Sequence, residues 1–509
     1  MRKVKIGKVY LIGAGPGDGE LITVKGLRCI KESDTLVYDY LANDILLKEA
    51  KKGAEIIYVG KKRGKHTFEQ EEINKLLLER ASKGRIVARL KGGDPFIFGR
   101  GGEEALYLKK NGIPFEIVPG VTSALGVPAY AGIPITHRTL SSSLTVVTGH
   151  EDPKKGFSQV KWDRIASGFD TLIILMGMKN FSYIMKNLIK NGLSPEKDVA
   201  VIQWGSTPLQ KTVVGKLKDI EDLAKKKGIS SPSVIVIGDV VKLRNELNWF
   251  ESKPLFGTRI MITRPEEKAC ELSNLLTIEG AEVIELPLIK ITRPYTWKFV
   301  DEAVKNLESY DWIVFTSANG VRYFFQRFFR IAGDIRNFGR IKICAIGSAT
   351  EKIIRDFRLN VNVKPKKFTS QSLIEEFSKK KRLKNKRFLL PRANIAGKFL
   401  SDELKKLGAL VDDIVVYRTI LEKEYKSEYI EMLKDNRIDL VTFTSSSTVM
   451  GFIRMAGKYN ILNILPELKV VSIGPETTKT ALKYGFKVEA EAKIHNIYGL
   501  FDAIMNLYN

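Results

Sequence analysis

The sequence predicts an α/β protein with more than one domain, and three observations support this fold class. Apolar strands alternate with amphipathic helical segments, as in "KVYLIGAG", the helical pattern at 25–32 and the strand "TLVYD". With 509 residues the chain is too long for one hydrophobic core. The alternation stops at 243–257, "LRNELNWFESKPLFG", where a Pro, a Gly and exposed-looking aromatics follow the strand "SVIVIGDVV". We therefore expect mostly parallel sheets and a domain boundary in this segment.

Composition and charge argue against several classes of protein. The longest apolar run, near 172–178, is too short for a membrane helix, and residues 1–8 lack the length and cleavage site of a signal peptide. We therefore expect a cytoplasmic protein without a membrane partner. The net charge of +25 comes from lysines scattered at the ends of helical patterns and not interleaved with aromatics. This distribution favours solvated surfaces over nucleic-acid binding.

The cysteines and histidines give no sign of a metal centre. Cys29, Cys270 and Cys344 are far apart, and no CxxC pair occurs. The four histidines show no spacing typical of metal ligands. We therefore expect neither a disulfide framework nor a metal-dependent mechanism.

The second half of the chain contains an internal repeat. "RIMITRP" aligns with "RFLLPRA", "LTIEGAEVIELPL" with "LKKLGALVDDIVV", "IVFTSANGV" with "VTFTSSSTV", and "CAIGSAT" with "VSIGPET", at spacings of 128, 128, 128 and 127 residues. The first match pairs Arg264 with Arg392. Four anchors in one register predict two similar α/β units, and such a pair usually binds its ligand in the cleft between them.

Two glycine-rich stretches indicate ligand contact in the first half. "LKGGDPFIFGRGGEEA", residues 90–105, reads as a loop whose bare backbone approaches a ligand closely. "LIGAGPGDGELIT" follows the first strand and suggests a dinucleotide-binding turn. However, Asp18 stands where the third fingerprint glycine belongs, and Pro16 lies where a phosphate-binding turn needs a free N–H. A nicotinamide cofactor is therefore the weaker alternative.

A series of motifs identifies the first half more specifically. "VYLIGAGPGDGELITVKG", "LVYDYL", "VGKKRG", "RLKGGDPFIFGRGGEEA", "VPGVTSALGVPAYAGIPITHR", "LIILMGM" and "SPSVIVIGDVV" occur in this order. Over residues 6–245 the chain resembles the uroporphyrinogen-III C-methyltransferases of the tetrapyrrole methylase family. The resemblance implies two α/β subdomains in residues 1–245, with S-adenosyl-L-methionine folded in the cleft between them, and a homodimer. Methyl transfer from a sulfonium needs no metal, only a dry pocket and an aligned carbon nucleophile.

The resemblance also assigns residues to the methyl donor. It implies that the backbone of Gly92, Gly93 and Asp94 wraps the donor, with Asp94 facing its cationic or hydroxyl-bearing part. Six further residues fall at matching contact positions: Pro16, Ile97, Thr122, Ser123, Met176 and Gly205.

The catalytic and substrate-binding residues of this half are also implied by the resemblance. Asp39 matches the proposed base that accepts the pyrrole N–H proton, although it also suits a helix N-cap before "YLANDILLKEA". Lys61 matches the proposed proton donor, with an ordinary charged loop as the alternative. Arg100 is expected to clamp a substrate carboxylate or to assist deprotonation. His137 and Arg138 are expected to meet further carboxylates of the eight on uroporphyrinogen.

Residues 257–509 resemble uroporphyrinogen-III synthase. The motifs are "GTRIMITRP", "FTSANGV", "AIGSAT", "LLPRA", "VVYRT", "FTSSSTV" and "SIGPETT". The resemblance implies two lobes joined by a two-stranded ladder. One lobe would combine 257–291 with 419–509 and the other would span 292–418, with 246–256 as the linker to the methylase.

The synthase reaction closes linear hydroxymethylbilane through an azafulvene while inverting ring D. Such an enzyme must hold geometry and stabilise a leaving hydroxide, which suits hydroxyls and N–H groups at helix starts, such as those of Thr350, Thr477 and Thr478. Tyr417 matches the candidate proton donor, and the alternative is a ladder aromatic at the hinge between the lobes. For the paired "TS" turns at 316–317 and 444–445 the alternative to carboxylate binding is helix N-capping.

Together these inferences predict a bifunctional enzyme of early sirohaem and cobalamin synthesis. Its small-molecule substrates would be hydroxymethylbilane and uroporphyrinogen III, and the product of two methylations at C2 and C7 would be precorrin-2. The alternatives are a methylase of a later corrinoid precursor and a nucleotide-dependent oxidoreductase. A basic nucleic-acid binder is the remaining alternative.

Overall fold

The structure, a computed structural model, describes residues 6–60, 68–150, 160–264, 266–365, 369–378 and 383–508. The chain forms two compact units. The N-terminal unit comprises 1–259 with 274–283 and 508–509, and the C-terminal unit comprises 260–273 with 284–507. No helix within the described ranges combines the length and the apolar composition needed to cross a lipid bilayer.

The N-terminal unit contains ten strands and eight helices within its described part. The strands are β1 Lys8–Gly13, β2 Thr35–Tyr38, β3 Glu55–Tyr58, β4 Ile86–Lys91, β5 Phe115–Val118, β6 Leu144–Thr148, β7 Thr171–Leu175, β8 Asp198–Gln203, β9 Lys211–Lys216 and β10 Ser233–Ile237. The helices are α1 Val24–Glu32, α2 Gln70–Ser82, α3 Gly101–Lys110, α4 Ser123–Tyr130, α5 Trp162–Ile165, α6 Phe181–Lys190, α7 Ile220–Lys226 and α8 Arg244–Leu247.

The first sheet is parallel throughout and has the order β3-β2-β4-β1-β5. Its strand β1 is buried on both faces, since Val9 and Leu11 pack into one hydrophobic cluster and Ile12 into another. This pattern is typical of a parallel sheet covered by helices on both sides. β1 pairs with β4 up to Gly13 and Lys91. The two glycine-rich loops therefore leave the sheet side by side at its carboxyl edge.

The second sheet, β6-β7-β10-β8-β9, is mixed. Only β6 and β7 are parallel, whereas β10 is antiparallel to β7 and β8, and β8 is antiparallel to β9. The expectation of mostly parallel sheets is wrong for this one. For β8 and β9 the reason is the short connection from Gln203 to Lys211, because a parallel crossover needs a dozen or more residues.

The segment predicted as a linker, 246–256, packs against the N-terminal unit. The Phe250 ring lies 4.8 Å from the Tyr130 ring and is buried. The indole N–H of Trp249 donates to the carbonyl of Ala129 at 3.0 Å. Phe250 thus differs from the exposed aromatic that the sequence suggested, because its contact partner is 120 residues away and invisible to local pattern.

The C-terminal elements follow in chain order. The strands are β11 Arg259–Ile262, β12 Glu282–Glu285, β13 Ile289–Thr292, β14 Trp312–Phe315, β15 Lys342–Ala345, β16 Arg387–Ala393, β17 Leu410–Leu421, β18 Leu440–Phe443, β19 Lys469–Ser472 and β20 Lys487–Glu491. The helices are α9 Glu266–Ile278, α10 Lys298–Lys305, α11 Ala318–Ala332, α12 Ser348–Asp356, α13 Ser370–Ser378, α14 Phe399–Lys406, α15 Ser427–Lys434, α16 Ser446–Lys458, α17 Pro475–Lys483 and α18 Ile497–Tyr508.

The two sheets formed by these strands exchange parts of the sequence repeat. The third sheet has the order β12-β11-β18-β19-β20 and the fourth β13-β17-β16-β14-β15. The repeat equates β11 with β16 and β18 with β14, so each sheet takes strands from both copies. A copy of the repeat is therefore not itself a spatial unit. The two sheets instead share one spatial order of equivalent strands, and the order of these strands along the chain is circularly permuted between them.

An antiparallel ladder forms one edge of the fourth sheet. β13 pairs with the last four residues of β17, from Ile289 opposite Leu421 to Thr292 opposite Arg418. The earlier part of the same long strand pairs in parallel with β16.

Candidate functional site

A cavity of about 740 Å³ lies within the N-terminal unit where loops from its two sheets converge. Its walls come from the carboxyl ends of β1, β2 and β4 in the first sheet, and of β7 and β8 in the second. Ligands of α/β proteins bind at this edge of the strands. The predicted residues that line it are Pro16, Asp39, Gly92, Gly93, Ile97, Arg100, Ser123, Met176 and Gly205.

The glycines at one wall allow three backbone segments to touch. Gly93 and Gly15 exchange backbone hydrogen bonds of 2.7 and 3.3 Å, and Gly93 has φ +70°. A Cβ added to Gly120 would lie 2.5 Å from the carbonyl oxygen of Gly93. Side chains at these positions would separate the segments, so the glycines form a wall of peptide groups.

Asp94 and Thr122 brace this wall rather than line the cavity. The Asp94 carboxylate accepts hydrogen bonds from the backbone N–H groups of Phe96 at 2.7 Å and Gly120 at 3.0 Å. Thr122 is the N-cap of α4 and accepts from the N–H of Ala124. In the structure Asp94 thus fixes the loop that the sequence singled out.

Strained backbone concentrates around the same cavity. Four non-glycine residues with φ between 50° and 57° line it: Phe98, Arg100, Met176 and Trp204. Positive φ is unfavourable for such side chains and persists where surrounding structure enforces it, often at functional sites. Across the cavity the Tyr40 and Trp204 rings meet edge to face at 5.6 Å.

Asp39 lies at the floor of the cavity and is partly buried. Its Oδ2 accepts a hydrogen bond of 3.1 Å from Arg89, and its Oδ1 accepts one of 3.2 Å from the N–H of Leu41. The helix-cap alternative for Asp39 is wrong, because the turn that begins at Asp44 is capped by Asn43. The carboxylate is therefore held at the cavity by a cation and not by a helix end.

Behind Asp39 lies a buried ionic network that the sequence analysis missed. Arg89, Lys91 and Glu104 are all nearly completely buried. Glu104 Oε1 accepts hydrogen bonds from Lys91 at 2.8 Å and Arg89 at 3.4 Å, while its Oε2 has no hydrogen-bond partner in the described chain. Burial, and then repulsion from Arg89, lower the pKa of Lys91. The sequence signal was two cations spaced by two in the otherwise apolar strand "IVARLK".

Arg100, His137 and Arg138 are exposed and lie outside this buried network. Arg100 forms a two-pronged ion pair with Glu103 at 2.9 and 2.7 Å, so a substrate carboxylate would compete with that residue. His137 and Arg138 are exposed in a turn that does not line the cavity. Lys61 lies outside the described residues.

The glycine-rich start of the chain does not form a dinucleotide-binding turn. Gly19 begins only a three-residue 3-10 turn, and α1 starts at Val24 with Thr23 as its cap, so the glycines do not lead directly into an α-helix. Asp18 instead accepts a hydrogen bond of 2.6 Å from the Tyr130 hydroxyl.

In the C-terminal unit the repeated "TS" turns adopt matching geometry. Ser317 caps α11 and Ser445 caps α16, each accepting from the N–H three residues later. Tyr417 is buried, and its hydroxyl lies 3.0 Å from that of Ser317. Burial raises the pKa of Tyr417. The Tyr417 ring also stacks on Tyr323, with 5.8 Å between centroids, so it is part of the core as well.

The predicted threonines occupy helix starts on two different sheets. Thr350 lies in the first turn of α12, beside the fourth sheet, and is buried. Thr477 and Thr478 lie in the first turn of α17, beside the third sheet. The Thr478 hydroxyl hydrogen-bonds to Ser472 at 2.5 Å and also contacts Glu491.

Comparisons with known proteins identify both halves. Residues 8–221 match the family of tetrapyrrole (corrin/porphyrin) methylases, and residues 271–502 match uroporphyrinogen-III synthase HemD. The chain is 36% identical over 501 residues to the porphyrin biosynthesis protein HemD of Ruminiclostridium josui, which covers 98% of each chain. The chain belongs to this HemD family.

Two further relatives match the N-terminal half. An S-adenosyl-L-methionine-dependent uroporphyrinogen III methyltransferase of Methanosarcina barkeri is 48% identical over 241 residues, 47% of this chain and 94% of that protein. A crystal structure of uroporphyrin-III C-methyl transferase from Thermus thermophilus complexed with S-adenyl homocysteine is 39% identical, with a TM-score of 0.40. It covers 47% of this chain and 100% of that chain.

Membership of the HemD family confirms the predicted fold class and the predicted fusion. The chain joins an α/β methyltransferase region to an α/β uroporphyrinogen-III synthase region, and both act in tetrapyrrole biosynthesis.

Proposed function

We propose that this chain converts hydroxymethylbilane to uroporphyrinogen III with inversion of ring D. It then methylates this product at C2 and C7 with S-adenosyl-L-methionine to give precorrin-2. The methylase would occupy residues 1–245 and the synthase 257–509. The observation that carries the proposal is the cavity of the N-terminal unit, where peptide groups, exposed apolar side chains and the Asp39 carboxylate converge.

The residues around this cavity suit a sulfonium nucleoside. The wall at Gly92 and Gly93 has no side chains, so a ligand can approach its peptide groups closely, and Ile97 and Met176 expose apolar surface to a base or a methyl group. When bound, the nucleoside supplies an electrophilic methyl group. The chain's own part is to exclude water and to align the carbon nucleophile.

Asp39 is the proposed base. The pyrrole carbon forms a bond to the methyl carbon while the bond between the methyl carbon and sulfur breaks. The pyrrole N–H proton passes to Asp39 Oδ1 or Oδ2. Arg89 keeps the carboxylate oriented through its 3.1 Å hydrogen bond. A positioned carboxylate at such a step contributes about 10²–10⁴-fold in rate.

In the synthase region the proposed proton donor is Tyr417. Loss of water from hydroxymethylbilane requires a proton on the departing hydroxyl, and a buried phenol beside the N-terminus of α11 is positioned to supply it. Burial raises the pKa of Tyr417, which favours the neutral phenol over the phenolate.

The methylase part is tested by incubating the purified chain with uroporphyrinogen III and S-adenosyl-L-methionine, followed by mass spectrometry. The expected product carries two added methyl groups per macrocycle. In a parallel titration S-adenosylhomocysteine should raise the melting temperature and NAD should not. No methylation, or stabilisation by NAD alone, would contradict the proposal.

A further inference from the structure

The repeat places two arginines at equivalent points of the C-terminal unit. Arg264 follows β11 in the third sheet, and Arg392 lies near the end of β16 in the fourth. β11 and β16 hold the same position in their sheets, each between an equivalent pair of neighbours. The guanidinium groups of Arg264 and Arg392 therefore belong to equivalent positions of two similar sheets.

Arg392 is fully neutralised within its own lobe. It donates hydrogen bonds to both carboxylate oxygens of Asp413, one of them at 3.0 Å, and to the carbonyl of Gly397 at 2.9 Å. The side chain is almost completely buried. This arrangement is that of a structural ion pair, in which geometry and pairing offset the cost of desolvating both charges.

Arg264 differs from its counterpart in having no such partner. It is partly buried, and no hydrogen bond or ion pair links it to a side chain that the structure describes, which leaves out those of 265–270. Glu285 stands at the repeat position of Asp413. Burial lowers the pKa of Arg264, against the opposing effect of the Glu271 carboxylate. A partly desolvated cation without a hydrogen-bonded counter-ion costs folding free energy, which a bound anion would offset.

The surroundings of Arg264 suit an anion from solution. The register of β11 and β18, with Ile262 opposite Thr442, brings Arg264 to the carboxyl edge next to the turn at 444–445. At this edge Ser445 caps the 13-residue helix α16, and Gly474 precedes the 9-residue helix α17. Helix N-termini carry partial positive charge and favour anions.

We propose that Arg264 binds a carboxylate of the linear tetrapyrrole in the synthase region. The inference rests on the proposed function, since acetate and propionate side chains are the anions that this substrate offers. A guanidinium matches a carboxylate with two parallel hydrogen bonds, as Arg392 shows with Asp413 in the other lobe. The two arginines thus occupy equivalent positions of the repeat, where Arg392 has a structural role and Arg264 binds the substrate.

The test compares Arg264→Gln with Arg392→Gln in the full chain. For Arg264→Gln we expect the KM for hydroxymethylbilane to rise about 10- to 100-fold, the loss of one charge-assisted interaction, with a smaller change in kcat. Its melting temperature should stay the same or rise, because an unpaired buried charge is removed. Arg392→Gln should lower the melting temperature, because Asp413 loses its partner. Arg264→Lys should recover part of the affinity.

Two outcomes would overturn the inference. One is an unchanged KM in Arg264→Gln. The other is a fall in melting temperature as large as that of Arg392→Gln, which would mean that Arg264 pairs with Glu285 and is structural. The cooperativity of the melting transition and the circular dichroism spectrum report whether each variant is folded. If the wild-type chain itself fails to form uroporphyrinogen III, the proposed function fails, whereas a normal wild type with an unaffected Arg264→Gln defeats only this inference.

Discussion

The guanidinium of Arg89 donates a hydrogen bond to the carboxylate of Asp39, with 3.1 Å between Nη2 and Oδ2. Arg89 is buried and is held in turn by Glu104 and by the carbonyl of Leu90. A flexible acid at the end of a strand is thereby fixed at the cavity floor by a rigid, charged support. Preorganisation of this kind keeps a base aligned through the reaction.

Replacing Asp39 with Asn should abolish most methyl transfer while leaving ring closure intact. The amide keeps the shape of the side chain but cannot accept the pyrrole proton, so the methylation rate should fall about 10²–10⁴-fold. Uroporphyrinogen III formation from hydroxymethylbilane, measured in the same preparation, is the internal control. Methylation at the wild-type rate would exclude Asp39 as the base.

Replacing Glu104 with Gln should destabilise the N-terminal unit. The substitution leaves the buried cations Arg89 and Lys91 without their shared anion, and breaking a buried pair costs about 3 kcal/mol or more. Urea denaturation measures the effect. The adjacent Glu103→Gln is the matched control, because Glu103 is exposed and such pairs contribute about 0–1 kcal/mol. Equal stability of the two variants would contradict the network described for Glu104.

Replacing Gly120 with Ala should weaken binding of the methyl donor's product. The new Cβ would lie 2.5 Å from the Gly93 carbonyl oxygen, so the wall beside the cavity must shift. Overpacking of this kind costs about 1–3 kcal/mol, and we expect at least a tenfold loss of S-adenosylhomocysteine affinity by calorimetry. Gly102→Ala is the control, since its Cβ would meet nothing within 4 Å. An equal change in S-adenosylhomocysteine affinity in both variants would contradict the role of Gly120 in shaping the cavity wall.

Replacing Tyr417 with Phe separates the two interpretations of this residue. A proton donor predicts a loss of ring closure of about 10²-fold or more, with the ring packing preserved. A packing role alone predicts nearly full activity, because only the contact with the Ser317 hydroxyl is lost, about 1 kcal/mol. The initial rate of uroporphyrinogen III formation decides between them, and circular dichroism reports whether the variant is folded.

Much of the fold and part of the site follow from local sequence. The β1 and β4 strands, their glycine-rich loops and the helix caps at Ser317 and Ser445 depend on propensities and spacings within a few residues. The cavity residues Gly93 and Met176 were predicted from motifs that resemble those of the tetrapyrrole methylases. Local pattern was sufficient where a residue's partner lies nearby in the chain.

The rest depended on contacts between distant segments. Glu104 meets Arg89 across 15 residues, and Phe250 packs on Tyr130 across 120. The exchange of repeat copies between the third and fourth sheets requires pairing of β11 with β18, about 180 residues apart. Spacing alone reveals that a repeat exists but not which copies pair in space.

We propose above all that one chain closes hydroxymethylbilane to the type III ring and then methylates that ring. The most direct measurement supplies hydroxymethylbilane with and without S-adenosyl-L-methionine and identifies the products by chromatography of the oxidised porphyrins and by mass spectrometry. The account predicts uroporphyrinogen III without the methyl donor and the dimethylated product with it. Type I ring in both reactions would contradict it.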